Sequence, residues 1–130
     1  MPETVFDVFD ATARAHAERP AMSRKRAGSW EHTSWREYHD TVGRAARALV
    51  ALGVEPGAGV VILAANRPEW FVTSLATAMV GARTVGIYTN STPEQVRFIA
   101  DHAEATLALV DSKAALAKLE SAGVDRKSVV

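Results

Sequence analysis

Cysteine is absent from the 130-residue sequence. That excludes disulfides, thiolate metal sites and cysteine nucleophiles, and it fits a reducing compartment. Excess charge of either sign is absent too, since 15 Lys and Arg balance 15 Asp and Glu. Zero net charge leaves no electrostatic footprint for nucleic acid or for an anionic membrane. No stretch approaches the ~20 apolar residues that a transmembrane helix needs. The opening MPETVFDVFD carries acids early and has no apolar core, so no secretory signal is expected. Histidine is scarce, and no two of His16, His32, His39 and His102 stand three or four residues apart. With no cysteine to help, a metal site is not expected. A phosphate-binding G-x-x-x-x-G-K-[ST] loop is missing as well. Gly57-Ala58-Gly59 comes before a strand instead of between a strand and a helix, so it reads as a turn.

What is present is ordinary globular composition, 48% apolar and 23% charged, in a length that suits one domain. The pattern centres on Gly59–Trp70, GVVILAANRPEW. The unbroken apolar run Val60–Ala65 suits a strand buried on both faces. Asn66 is the expected N-cap of the helix that follows, with Pro68 in its first turn and Glu69 near its positive end.

Before this centre, Thr4 is expected to cap a helix with Asp7 in its first turn and Val5, Phe6, Phe9 and Ala13 on one face, stopped by Pro20. Ala21–Arg26 and Trp30–Thr33 read as a hairpin around Ala27-Gly28-Ser29. Ser34 and Glu37 form a capping box. The helix it opens carries Trp35, Tyr38, Val42, Ala45, Leu49 and Leu52 on one face, and on the other an expected Asp40–Arg44 pair. Gly43 lies mid-helix at a cost of about 1 kcal/mol against Ala, and Gly53 ends the helix.

After the centre, a helix uncharged from Trp70 to Ala82 is expected to be buried on more than one side, and Gly81 stops it. Thr84–Tyr88 is the next strand. Thr92, Pro93, Glu94 and Gln95 open a helix with Val96, Ile99, Ala100 and Ala103 inside. Thr106–Val110 is a further buried strand. Ser112 caps a last helix with Leu116 and Leu119, ended by Gly123. Strands starting near 60, 84 and 106 leave room for helical crossovers. The expected fold is therefore α/β: a partial doubly wound, mostly parallel sheet with helices on its faces and a small N-terminal β-hairpin.

Few residues suggest chemistry. Arg24, Lys25 and Arg26 suit either anion binding or a solvated edge hairpin, and the second reading is preferred. His39 and His102 fall on polar helix faces and are expected to be solvated. Asp111 follows a strand, where a phospho-accepting aspartate would stand, but beside the Ser112 cap it reads better as a turn residue. Trp30, Trp35 and Trp70 could stack on a ligand, and the spacing makes Trp35 a core residue first. No catalytic, cofactor-binding or metal-ligating residue is assigned.

A resemblance goes further. Asn66-Arg67-Pro68-Glu69-Trp70 after the central strand, Gly81-Ala82 closing the helix, Ile87-Tyr88-Thr89 leading into Ser91-Thr92-Pro93-Glu94-Gln95, and the earlier Thr33-Ser34-Trp35-Arg36-Glu37-Tyr38 together resemble the N-terminal portion of AMP-forming acyl-CoA synthetases. Within that adenylate-forming superfamily the similarity is to the long-chain fatty-acid–CoA ligases, and it covers most of residues 4 to 120.

The resemblance implies a parent enzyme that uses ATP, Mg²⁺ and CoA to activate a fatty acid through an acyl-adenylate. It also implies that the Ser/Thr/Gly-rich phosphate loop, the acidic magnesium motif, the ribose-binding aspartate and the C-terminal lysine lie downstream, with no counterpart here. Some relatives place a basic residue near the CoA phosphate where this sequence has Asn90, so that role is not carried over.

The expectation is thus that 1–124 is the incomplete N-terminal part of an AMP-binding domain, inactive by itself, and that 125–130 is a non-native tail without periodic relation to the helix before it. The natural chain is expected to continue. The expected partners are the missing remainder of the ligase and, for the parent, fatty acid and CoA. Self-association through exposed apolar surface is also expected, as is a cytoplasmic location, free or peripheral to a membrane. The alternative is a stand-alone α/β binding or interaction module descended from such an enzyme.

Overall fold

The structure is a computed structural model that describes residues 3–124 and the backbone of 127–129. In chain order the elements are α1 (Val5–Ala15), β1 (Pro20–Arg26), β2 (Ser29–Ser34), α2 (Trp35–Ala51), β3 (Gly59–Leu63), α3 (Pro68–Met79), β4 (Arg83–Gly86), α4 (Pro93–His102), β5 (Ala105–Val110), α5 (Lys113–Ser121) and β6 (Lys127–Val129). The fold is α/β, as the residue pattern implies. β1 and β2 form an antiparallel hairpin of their own, and the main sheet has the order β4-β3-β5-β6, with every described pair parallel.

β3 is buried at all of its positions, and Val60, Val61, Ile62 and Leu63 are each at most 2% exposed. Burying each of these side chains contributes roughly 1.5–3 kcal/mol. Alternate residues face opposite layers. Val60 and Leu107 pack with Phe9, Tyr38, Val42, Leu49 and Ala76, under α1, α2 and α3. Val61, Leu63, Ala108 and Val110 pack with Val96, Ala100 and Leu119, under α4 and α5.

Local chemistry sets the helix starts. Thr4, Ser34 and Thr92 cap α1, α2 and α4 through full capping boxes with Asp7, Glu37 and Gln95. A cap of this kind contributes about 1 kcal/mol. Bonds from the cap backbone hold the carboxyls of Asp7 and Glu37 below the usual carboxylate range. Ser112 caps α5 by accepting from the Ala115 N–H at 3.1 Å. The hairpin turns at Ala27 and Gly28, both with positive φ (48° and 83°), between the paired Arg26 and Ser29. Two residues in that conformation match the twist of the flanking strands.

Several expectations are corrected. Asn66 does not cap α3: the N-cap is Arg67, without a side-chain cap bond. Pro68 is the cause, because the residue before a proline is pushed into extended backbone, here φ −151°, ψ 160°. α1 ends at Ala15, and Pro20 instead opens β1, where a strand's first residue needs no ladder N–H. Val5 is exposed, because the buried stripe of α1 runs through Phe9 and Ala13 with Phe6 beside it.

Arg44 donates to Thr41 Oγ1 at 3.2 Å, and among the described residues Asp40 and Arg44 form no ion pair. His39 is only partly solvated, with a third of its side chain exposed. Its Nε2 lies 2.7 Å from Asp10 Oδ1, and its ring stacks on Phe9, so it joins α1 to α2. α3 buries Thr73, Ala76 and Thr77 but leaves Phe71 and Met79 nearly half exposed, so only one broad side of it is covered.

The tail expected at 125–130 lies outside the described residues except for the backbone of Lys127–Val129. That backbone forms β6, an element the pattern does not announce; it pairs parallel with β5, whose ladder groups would otherwise lack a partner on that side.

Two glycines make opposite predictions. A Cβ on Gly43 would meet only Arg47 Nη1, at 3.8 Å. Gly43→Ala should therefore stabilise the chain by about 1 kcal/mol. A Cβ on Gly59 would sit 2.7 Å from the Ala103 carbonyl oxygen and 3.1 Å from Ala105 Cα, both backbone. Gly59→Ala should destabilise by about 1–3 kcal/mol. Urea denaturation of both variants checks the signs; a stabilising Gly59→Ala would contradict the close strand approach.

Candidate functional site

Binding crevices in open α/β sheets form at the C-terminal ends of strands, where successive crossovers leave by opposite faces. Here α3 carries the chain from β3 to β4 on one face, and α4 carries it from β4 to β5 on the other. The switch falls between β3 and β5. Trp70, in the first turn of α3, stands there and separates two clefts.

The first cleft, of about 530 Å³, lies between the ends of β3 and β4 and is walled by Ala64, Ala65 and Asn66 on one side and Ile87, Tyr88 and Thr89 on the other. The second, of about 480 Å³, lies over the switch between β3 and β5 and includes Ile62, Arg67, Glu69, Val72, Leu109 and Asp111. Trp70 lines both.

Gly86 makes this arrangement possible. A Cβ there would lie 3.1 Å from Trp70 Cζ2 and 3.7 Å from Cη2, so the indole rests on the bare backbone of β4. Arg67 Nε donates to Glu69 Oε2 at 2.8 Å. The Glu69 carboxyl is held below the usual range first by its own backbone N–H and then by Arg67. Tyr88 stands 84% exposed at the rim.

Asp111 lines the second cleft with one carboxylate oxygen already engaged. Its Oδ2 accepts from the Ala65 N–H at 2.8 Å and so ties the end of β5 to the loop after β3. On the far wall, Lys118 Nζ donates to the Thr89 carbonyl oxygen. Neither bond is visible in the local pattern, because each spans 46 or 29 residues.

The remaining candidates lie elsewhere. Arg24 and Arg26 both approach Glu31 across the hairpin, at 3.1 and 4.0 Å, and Lys25 is exposed, which is the solvated-hairpin arrangement. Trp30 is 63% exposed at that hairpin, while Trp35 packs against Phe9 and Tyr38. Burial pushes the Tyr38 phenol up to about 12. His16 is exposed, His32 Nδ1 lies 2.6 Å from Ser23 Oγ, and His102 is exposed and stacks on Phe98.

Among the described residues no group of three His, Cys, Asp or Glu is placed to hold a metal ion. The loops leaving β3, β4 and β5 (64–67, 87–92 and 111–112) contain no glycine, so none is a glycine-rich phosphate cradle. The clefts offer apolar walls, aromatic faces and a few polar groups, a surface suited to holding part of a ligand.

Comparison with known proteins follows the same line. Residues 9–130 match the profile of the AMP-binding enzyme family. The long-chain-fatty-acid–CoA ligase ACSBG1 of Bos taurus is 37% identical over 118 residues, 91% of this chain and 16% of the relative. The long-chain-fatty-acid–CoA ligase ACSBG2 of Gallus gallus is 32% identical over 111 residues, 85% of this chain and 14% of the relative. The chain thus spans about one sixth of the length of the curated relatives it matches.

Among solved structures, the N-terminal subdomain of Klebsiella oxytoca NpsA superposes with a TM-score of 0.85 at 20% identity, covering 98% of this chain and 30% of that one. The O-succinylbenzoate coenzyme A synthetase MenE of Bacillus subtilis, solved with AMP, gives 0.81 at 21%, covering 93% and 30%. At that identity the likeness is one of fold.

The Trp70–Gly86 contact yields a direct expectation. Gly86→Val should drive the indole off β4, displace the Trp70 indole N–H resonance and destabilise the chain by about 1–3 kcal/mol. Gly86→Ala should do the same to a smaller degree. Two-dimensional NMR of the three indole signals reads the change, and a Trp70 signal unmoved by valine would refute the packing.

Proposed function

The chain belongs to the AMP-binding enzyme family, and we propose that it is the opening portion of an ATP-dependent ligase that activates a long-chain fatty acid through an acyl-adenylate and transfers it to CoA. The observation that carries this reading is the 37% identity to a long-chain-fatty-acid–CoA ligase over 91% of the chain. The resemblance of Asn66–Trp70 and Ile87–Gln95 to such ligases points the same way.

In this reading the whole enzyme uses ATP, Mg²⁺ and CoA. The described residues do not by themselves fit them: they hold no candidate metal cluster, and the loops at the strand ends lack a glycine-rich cradle. The segment's part is then architectural. It supplies a sheet whose C-terminal edge presents two clefts, while phosphate loop, magnesium carboxylates and lysine come from further along the parent chain. Its location is the cytoplasm, free or at a membrane surface; among the described residues no helix is long and apolar enough to cross a membrane.

Three outcomes test the reading. The purified 130-residue chain, given ATP, Mg²⁺, a long-chain fatty acid and CoA, should release no pyrophosphate and form no acyl-CoA above a blank. Losing a single preorganised charge-stabilising donor costs ~10²–10³ in rate, and the full set lies outside this chain. Measurable turnover would overturn the inactivity. Exposed Phe71, Met79, Val50 and Phe98 should also make the chain self-associate at high concentration, which light scattering reads. Sequencing across the source locus tests the parentage: the frame should run on past Val124 into a Ser/Thr/Gly-rich loop. A stop codon directly after Val130, with no ligase sequence beyond it, would favour a stand-alone α/β module.

A further inference from the structure

The first cleft has two walls from different parts of the chain, and a third part holds both. Ala65 and Thr89 stand on opposite sides of it. The Ala65 N–H donates to Asp111, the residue directly after β5, at 2.8 Å. The Thr89 carbonyl accepts from Lys118, in the second turn of α5. A carboxylate acceptor and an ammonium donor both strengthen a hydrogen bond relative to a neutral pair. Their sequence separations of 46 and 29 residues mean that each fixes tertiary position and not local conformation.

We propose that Asp111 and Lys118 are positioning residues that act as a cross-brace from β5–α5, setting the separation of the Ala64–Asn66 and Ile87–Thr89 walls on either side of Trp70. The value of such a brace to catalysis rests on the ligase reading above; the brace itself does not, and its test uses no substrate. The brace also assigns a purpose to Asp111 beyond that of a turn residue. Ser112 caps α5, which leaves the neighbouring carboxylate for the loop after β3.

The test is site-resolved amide exchange and NMR on the 130-residue chain and four variants. Asp111→Ala should speed exchange at Ala65 by about tenfold, the worth of one charge-assisted bond, and shift the Trp70 indole, while Val61 and Ala108 in the core exchange as before. Asp111→Asn, whose amide oxygen can accept the same bond, should restore most of the Ala65 protection. Lys118→Met should move the resonances of Tyr88, Thr89 and Asn90 without affecting Ala65, and Lys118→Arg should return them.

A purely structural role would lower protection everywhere in step with global stability, and that result overturns the proposal. So does an Ala65 amide indifferent to Asp111→Ala. If Asp111→Ala does not fold, Asp111→Asn and the Lys118 pair decide alone: a Thr89 segment unmoved by Lys118→Met refutes the brace. None of these results bears on whether the parent chain is a ligase, which the reading frame decides separately.

Discussion

A strand with no wet side governs this structure. β3 has hydrogen-bonded neighbours on both edges and helices over both faces, and each of its residues is buried. A backbone so enclosed must satisfy every N–H and C=O within the sheet, because water cannot reach them. That requirement calls β4 and β5 to its flanks. Parallel pairing in turn demands crossovers, which become α3 and α4. The layers of α1, α2 and α3 on one face and α4 and α5 on the other follow from the alternation of Val60 and Ile62 with Val61 and Leu63.

The same constraint explains what is legible in the residue order. Capping boxes, positive-φ glycines at 53, 81 and 123, and the uninterrupted apolar strand are local signals, so five helices, the hairpin and the first three parallel strands can be read directly. The misreadings arise where a neighbour in space or a stronger local rule prevails. Pro68 moves the cap from Asn66 to Arg67. Asp10 reaches across from α1 and ties down a partly exposed His39. β6 depends on an open edge of β5, which its own short sequence does not disclose. At the candidate site, Trp70 and the loop after β4 can be picked out as places of interest. That Gly86 is the floor for the indole, and that Asp111 and Lys118 hold the walls, depends on contacts between distant segments.

The two ends of the sheet are built differently. At the N-terminal end, Arg83 donates to the Gly57 carbonyl from Nε and to the Ala103 carbonyl from Nη2, both at 3.0 Å, so one guanidinium clasps the approaches to β3 and β5. Gly59 lets the backbones there come closer than a side chain would permit. That end is closed by the Arg83 side chain and by close backbone approach. The opposite end is splayed around Trp70 and held by side chains, which leaves room between the loops. Rigidity at one end and access at the other is the division that a binding scaffold needs.

The strand order carries a consequence for how such a chain is made. Within the main sheet β3 is synthesised first and sits inside; β4 joins one side, β5 the other, and β6 joins outside β5. No strand has to be threaded between two that are already paired. As a ribosome delivers the polypeptide from its N-terminus, each arriving strand meets a finished edge and adds to it, so the sheet grows outward like a crystal from a seed. Domains fold from the N-terminus as they are synthesised, and in this topology the seed is also the most deeply buried segment.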